Sequence, residues 1–123
     1  MIHLAVLYAV LRGVAGRKGV ISYEDLSHLY HEETGEWHEP HGTWDGPLAA
    51  VNAHTAAARL PPLSALVTYK PQQGSNFEPP GGSFWGSPGV PPRPGRADNR
   101  LLVWMGFVNL AHRAEWPESL LGS

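Results

Sequence analysis

Between Pro71 and Asn99 the chain carries seven prolines and six glycines in 29 residues. Proline removes a backbone donor and locks φ, and glycine raises the entropic cost of any regular structure. This stretch therefore reads as one long irregular loop or wing at 71–99. Regular elements must come from the blocks on either side. With 123 residues in total, those blocks suffice for a single domain spanning 1–123 and no second core.

The first block reads as three helices. Leu4, Leu7, Tyr8, Leu11, Val14 and Ala15 repeat at three- and four-residue spacing, which predicts a helix over 3–15. Gly19 closes the turn that follows, and Arg17 and Lys18 suit the negative end of the helix dipole. Ser22 is placed to cap a second helix, with Glu24 and Asp25 in its first turn and Leu26, Leu29 and Tyr30 as its apolar stripe. Residues 31–46 show no period and form a polar loop. Asp45 or Gly46, followed by Pro47, opens a third helix. Leu48, Val51, Thr55 and Ala58 form its expected buried face, and Pro61-Pro62 ends it.

Leu63 to Tyr69 alternates and is expected to be a strand, paired in a hairpin with a short strand at Ser83-Phe84-Trp85. Asp98 or Asn99 caps a last helix, with Leu101, Trp104, Met105, Val108, Ala111 and His112 on its inner face. Gly106 in that helix costs about 1 kcal/mol against alanine, and close packing of another helix would explain it. Three helices, a hairpin with a long Pro/Gly loop and a C-terminal helix make a small α+β domain of winged-helix type. Its second and third helices form the helix-turn-helix pair.

Two stretches resemble known proteins. Gly19-Val20-Ile21-Ser22-Tyr23-Glu24-Asp25-Leu26 resembles the entrance to the second helix in the DNA-binding domain of alkylguanine transferases and alkyltransferase-like proteins. Pro61-Pro62-Leu63-Ser64-Ala65-Leu66-Val67 resembles the segment after their recognition helix. The same residues, with Phe84-Trp85, are similar to small uncharacterised bacterial and phage proteins sharing a YxxLA…LPPLSALVV…PGxGF pattern. The likeness runs over about residues 17–85, with a weaker echo at 104–116. It implies a winged helix, DNA binding and a phage or defence setting, with Arg59 as counterpart of the base-flipping arginine. The chain has no cysteine, so alkyl transfer to sulfur is excluded, as are disulfides and thiolate metal sites. Ser27 stands where those families carry alanine or glycine, and the loop 31–46 has no place in their pattern.

Three kinds of site follow from the residues. Asn52, Thr55 and Arg59 have the chemistry to read bases, with Arg93, Arg96 and Arg100 available to phosphates and Trp85 to stacking. Trp37 and Trp44, in an acidic loop, are candidate anchors for a protein partner. His31, His38 and His41 are candidate ligands for zinc or another divalent metal, although no strong ligand spacing occurs. No nucleophile stands beside a base and no phosphate-binding glycine loop precedes a helix, so recognition is expected rather than catalysis. The formal charge of -2 argues against a uniformly basic nucleic-acid coat. No Lys or Arg occurs between Lys18 and Arg59, while seven acids do, so phosphate would be repelled there. The leading expectation is a nucleic-acid-binding or regulatory module. The alternatives are a protein-interaction module working through loop 31–46 and a small metal-dependent enzyme. The apolar N-terminus lacks a basic lead and a cleavage site, and Arg12, Arg17 and Lys18 cut it short. A cytoplasmic, non-membrane protein is expected.

Overall fold

The computed structural model describes residues 2–40, 43–69 and 84–119. The elements run α1 (Leu4–Gly16), β1 (Ile21–Ser22), α2 (Tyr23–Thr34), α3 (Asp45–Ala57), a 3-10 turn (Leu63–Leu66), β2 (Val67–Thr68) and α4 (Ala97–Arg113). Among the described residues no helix is long and apolar enough to cross a membrane.

Helix α1 buries Leu7, Leu11 and Val14, one turn apart, with Tyr8 and Ala15 beside them. Ser22 caps α2 through a bond from the Asp25 amide to its Oγ at 3.0 Å. Gly35 ends that helix at φ 75°, a conformation that favours glycine, with its N–H on the His31 carbonyl. Leu26 and Tyr30 of α2, Leu48 and Val51 of α3, and Leu63, Leu66 and Val67 complete the main core. A second cluster, Ala65, Phe84, Val90 and Trp104, lies under α4.

The winged-helix expectation is overturned at the sheet. The two strands are parallel, with Ile21 opposite Val67 and Ser22 opposite Thr68. A hairpin needs only a tight turn, whereas parallel strands need a long crossover, here supplied by α2, α3 and the 3-10 turn. Leu63–Leu66 is the 3-10 turn rather than strand, and every side chain from Pro62 to Thr68 is buried. The apparent alternation therefore does not mark one wet and one dry face. Ser83 lies outside the described residues. Phe84, Trp85 and Gly86 form a turn, so they offer β2 no strand. Phe84 instead inserts its ring fully into the second cluster.

The buried 3-10 turn brings backbone and hydroxyl groups that need partners. Asn52 supplies them: its Oδ1 accepts from the Ser64 amide at 3.3 Å, and its Nδ2 donates to Ser64 Oγ at 2.8 Å. On the other side, Trp104 of α4 donates its indole N–H to the Ala65 carbonyl at 2.7 Å. The turn thus joins α3 to α4 while also touching α1.

Helix α4 sits at the edge. Only Trp104 and Ala111 are buried along it. Leu101 and Met105, expected inside, are exposed. The cause is Phe84, whose ring meets Phe107 edge-on at 5.6 Å. That contact rolls the helix toward Phe107 and turns the Leu101–Met105 edge outward. The C-terminal end is tied down by Lys18 Nζ on the His112 carbonyl, by His112 Nε2 against the Gly19 carbonyl at 2.9 Å, and by Tyr8, whose hydroxyl donates to the Pro117 carbonyl.

Two outcomes are expected. Asn52→Ala leaves the Ser64 amide and hydroxyl unpaired inside the protein and should lower the unfolding free energy by about 3 kcal/mol in urea denaturation; a loss below about 1 kcal/mol would show that the clamp does not hold the turn. Burial raises the pKa of Tyr8 above its ordinary 10.0, with Arg12 opposing in part. The folded value lies above the unfolded one, so the neutral tyrosine's contribution is intact below pH 10 and is lost as pH rises through the folded value. Tyr8→Phe should be less stable than the parent at neutral pH and should flatten the fall in stability above pH 10 in a denaturation series.

Candidate functional site

The loop after α2 is organised by two tryptophans with opposite fates. Trp44 is 1% exposed. Its indole N–H donates to Ser27 Oγ at 2.9 Å, and its ring meets Tyr30 and His38 edge-on at 5.4 and 5.7 Å. It is a roof over the core, not a partner contact. Ser27 explains itself here: a hydroxyl where an alanine would leave the indole N–H without an acceptor.

Trp37 is 45% exposed, yet it is held in place. Its ring lies against His28 at 5.1 Å and His31 at 6.2 Å, and its N–H donates to Glu39 Oε1 at 3.2 Å. The spacing of His28 and His31, three apart on α2, sets both rings on the side of the helix that the returning loop crosses. The loop itself is pinned by Thr34, whose Oγ1 donates to the Tyr30 carbonyl and accepts from the Glu36 amide, and by Thr43 Oγ1 on the Glu39 carbonyl. Glu32, Glu33, Glu36 and Glu39 are all exposed on this stretch, Glu33 on the side of α2 that faces α1. The result is a fixed aromatic face inside an acidic field.

The histidines serve these aromatics. His38 packs edge-on against Tyr30 at 5.2 Å, and its Nε2 stands 3.8 Å from Glu36 Oε2. That nitrogen is buried and makes no hydrogen bond among the described residues. His31 faces Trp37, and His41 lies outside the described residues. Among the described residues no three His, Asp or Glu side chains gather as a metal site.

The residues expected to read bases are placed differently. Asn52 and Thr55 are buried, at 1% and 0% exposure. The Asn52 amide is spent on Ser64, and the Thr55 hydroxyl donates to the Asn52 carbonyl at 3.0 Å. The α3 face carrying them points into the domain, so no base edge reaches it. Arg59 is exposed just beyond α3, at φ 62°. It borders a cleft of about 470 Å³ together with Pro61, Pro62, Phe107, Leu110 and Arg113. No local pattern in the sequence singles out Arg113 at this cleft; only the packing of α4 beside the α3 exit brings it to Arg59.

The other arginines lie at the far end of α4. Arg100 and Arg113 are separated by about 20 Å of helix at 1.5 Å per residue. Arg100 donates to the carbonyls of Pro94 and Gly95 at 3.0 and 3.1 Å. Arg96 pairs with Asp98 at 3.4 Å on the open surface, and Arg93 is exposed. Arg59 therefore does not converge with Arg93, Arg96 and Arg100 into one basic strip. Trp85 is half-buried against Phe84, with ring centroids 4.7 Å apart.

No family model, curated protein or solved structure matches the chain. The surface chemistry carries the functional reading. The two tryptophans can be separated by experiment. Trp44→Ala should cost about 3–5 kcal/mol of stability, as a deleted core aromatic does, while Trp37→Ala should cost about 1 kcal/mol or less. Thermal melts of the two variants check the contrast.

Proposed function

We propose that the chain is a non-catalytic protein-interaction module whose partner is a basic segment of another protein, docked on Trp37. The observation that carries this reading is a tryptophan left 45% exposed while three contacts hold it in one orientation. A pre-ordered aromatic loses little entropy on binding, and tryptophan is enriched among the residues that dominate interface energy. Glu39 is hydrogen-bonded to Trp37, and Glu32 and Glu36 are exposed on the same stretch of chain, so lysine or arginine side chains find both a ring face and carboxylates. The same acids repel phosphate, and the burial of Asn52 and Thr55 withdraws the two α3 side chains expected to read bases.

The test is fluorescence anisotropy with labelled Lys/Arg-rich peptides, acidic control peptides and duplex DNA, at about 50 and about 200 mM salt. Basic peptides should bind and weaken as salt rises. Trp37→Ala should weaken binding by about tenfold or more while staying folded, with only a small drop in melting temperature. Equal binding by Trp37→Ala, no binding by any basic peptide, or binding of the duplex in their place would overturn the reading.

A further inference from the structure

Helix α4 presents a second surface, remote in chemistry from the Trp37 platform. Leu101, Leu102, Met105 and Leu110 are 38%, 71%, 51% and 52% exposed, and they account for most of the large exposed apolar side chains among the described residues. Gly106 lies among them. A Cβ built there meets nothing within 4 Å, so no contact among the described residues accounts for a glycine in the middle of a helix. Its usual cost is about 1 kcal/mol against alanine. A helix backbone approaching closely from outside would account for it.

The pattern along α4 is self-complementary. A two-fold axis running beside the helix, level with the point between Met105 and Gly106, pairs positions equally far from that point. It sets Met105 over Gly106 of a second copy, a long flexible side chain over the place with no side chain. Leu101 and Leu110 lie on opposite flanks of that seam. The axis sets Asp98 against Arg113, opposite charges at opposite ends. Leu102 meets Asn109, one polar position in the seam of the kind that fixes register. At about 100° per residue Asp98, Leu102, Met105, Gly106, Asn109 and Arg113 fall within about 100° of one another on one side of α4, with Leu101 and Leu110 at its two edges, and all eight are exposed. The antiparallel arrangement also sets each helix dipole against the other's opposite end.

We propose that α4 is a homodimerisation helix, its occupant a second copy of this chain packed antiparallel about Gly106. Closed two-fold pairing places each contact twice, so the Asp98–Arg113 pair forms at both ends of the seam. Asp98 also pairs with Arg96 within its own chain, but that contact is solvent-exposed and weak, which leaves the carboxylate available. The dimer leaves Trp37 on α2's returning loop untouched, so this proposal and the peptide-docking reading stand or fall separately.

The test is the mass of the full chain by sedimentation equilibrium across a concentration series, at low salt. The parent should pass from monomer to dimer. Met105→Glu, at an exposed position that folding does not need, should weaken dimerisation by about tenfold or more. Asp98→Lys and Arg113→Glu should each weaken their own homodimer, since each sets like charges together twice. An equimolar mixture of those two variants should dimerise again. In the mixed pair the introduced lysine faces the introduced glutamate at one end, and the unaltered Arg113 faces the unaltered Asp98 at the other. Circular dichroism confirms that each variant is folded. A parent that stays monomeric throughout, a dimer indifferent to Met105→Glu, or a mixture no better than its components would overturn the proposal.

Discussion

The buried segment from Pro62 to Thr68 is the constraint on which the architecture depends. Seven consecutive residues are covered on all sides, so the backbone cannot use water to satisfy its polar groups. The 3-10 turn, the short parallel pairing with Ile21–Ser22, the Asn52 amide and the Trp104 indole share that work. α3 supplies one clamp and α4 the other. Deleting either leaves an unpaired group in a place where it costs more than an ordinary hydrogen bond is worth. A small domain with four helices and a two-residue parallel sheet is held together less by its sheet than by this run.

That arrangement consumes polar residues that would otherwise face outward. Asn52 and Thr55 on an exposed helix would suit base recognition; inside, they are structural partners of Ser64 and of the α3 backbone. The same holds for Ser27, whose hydroxyl serves the Trp44 indole. Functional potential therefore moves to what the core leaves over: Trp37 among its glutamates, the arginine-bordered cleft beyond α3, and the outer side of α4. These three surfaces differ in chemistry, being acidic-aromatic, basic-apolar and apolar. A chain with so few buried residues on α4 has room for more than one contact face.

Helices α1 and α2 were legible because their signals are local. A three-four repeat of leucines, Ser22 three residues before Asp25, and Gly35 at a helix end state their roles within a few positions. Trp104 was legible as a core residue for the same reason. Trp37 and Trp44 were legible only as a pair: both sit in polar sequence, and nothing in their immediate neighbourhood tells which one finds Ser27 and which meets His28. Residues 71–83, expected as part of the long loop, lie outside the described residues.

Local pattern thus specified the four helices and the Ser22 cap of α2. The expected caps of α3 and α4 were wrong, since those helices begin after Trp44 and Arg96 with no side-chain cap, and Asp45, Asp98 and Asn99 lie inside them. Local pattern did not specify the pairing of Val67–Thr68 with Ile21–Ser22, because strand partners are chosen by contacts 46 residues apart in register and no short window contains them. Nor did it specify which way α4 rolls. Trp104, Val108 and Ala111 fit either rotation, and the ring of Phe84, arriving from the Pro/Gly-rich segment, selects the one that faces Phe107 inward. The exposure of Leu101 and Met105 follows from that packing contact, since hydrophobicity says which side chains prefer burial but not which of them the rest of the chain is large enough to cover.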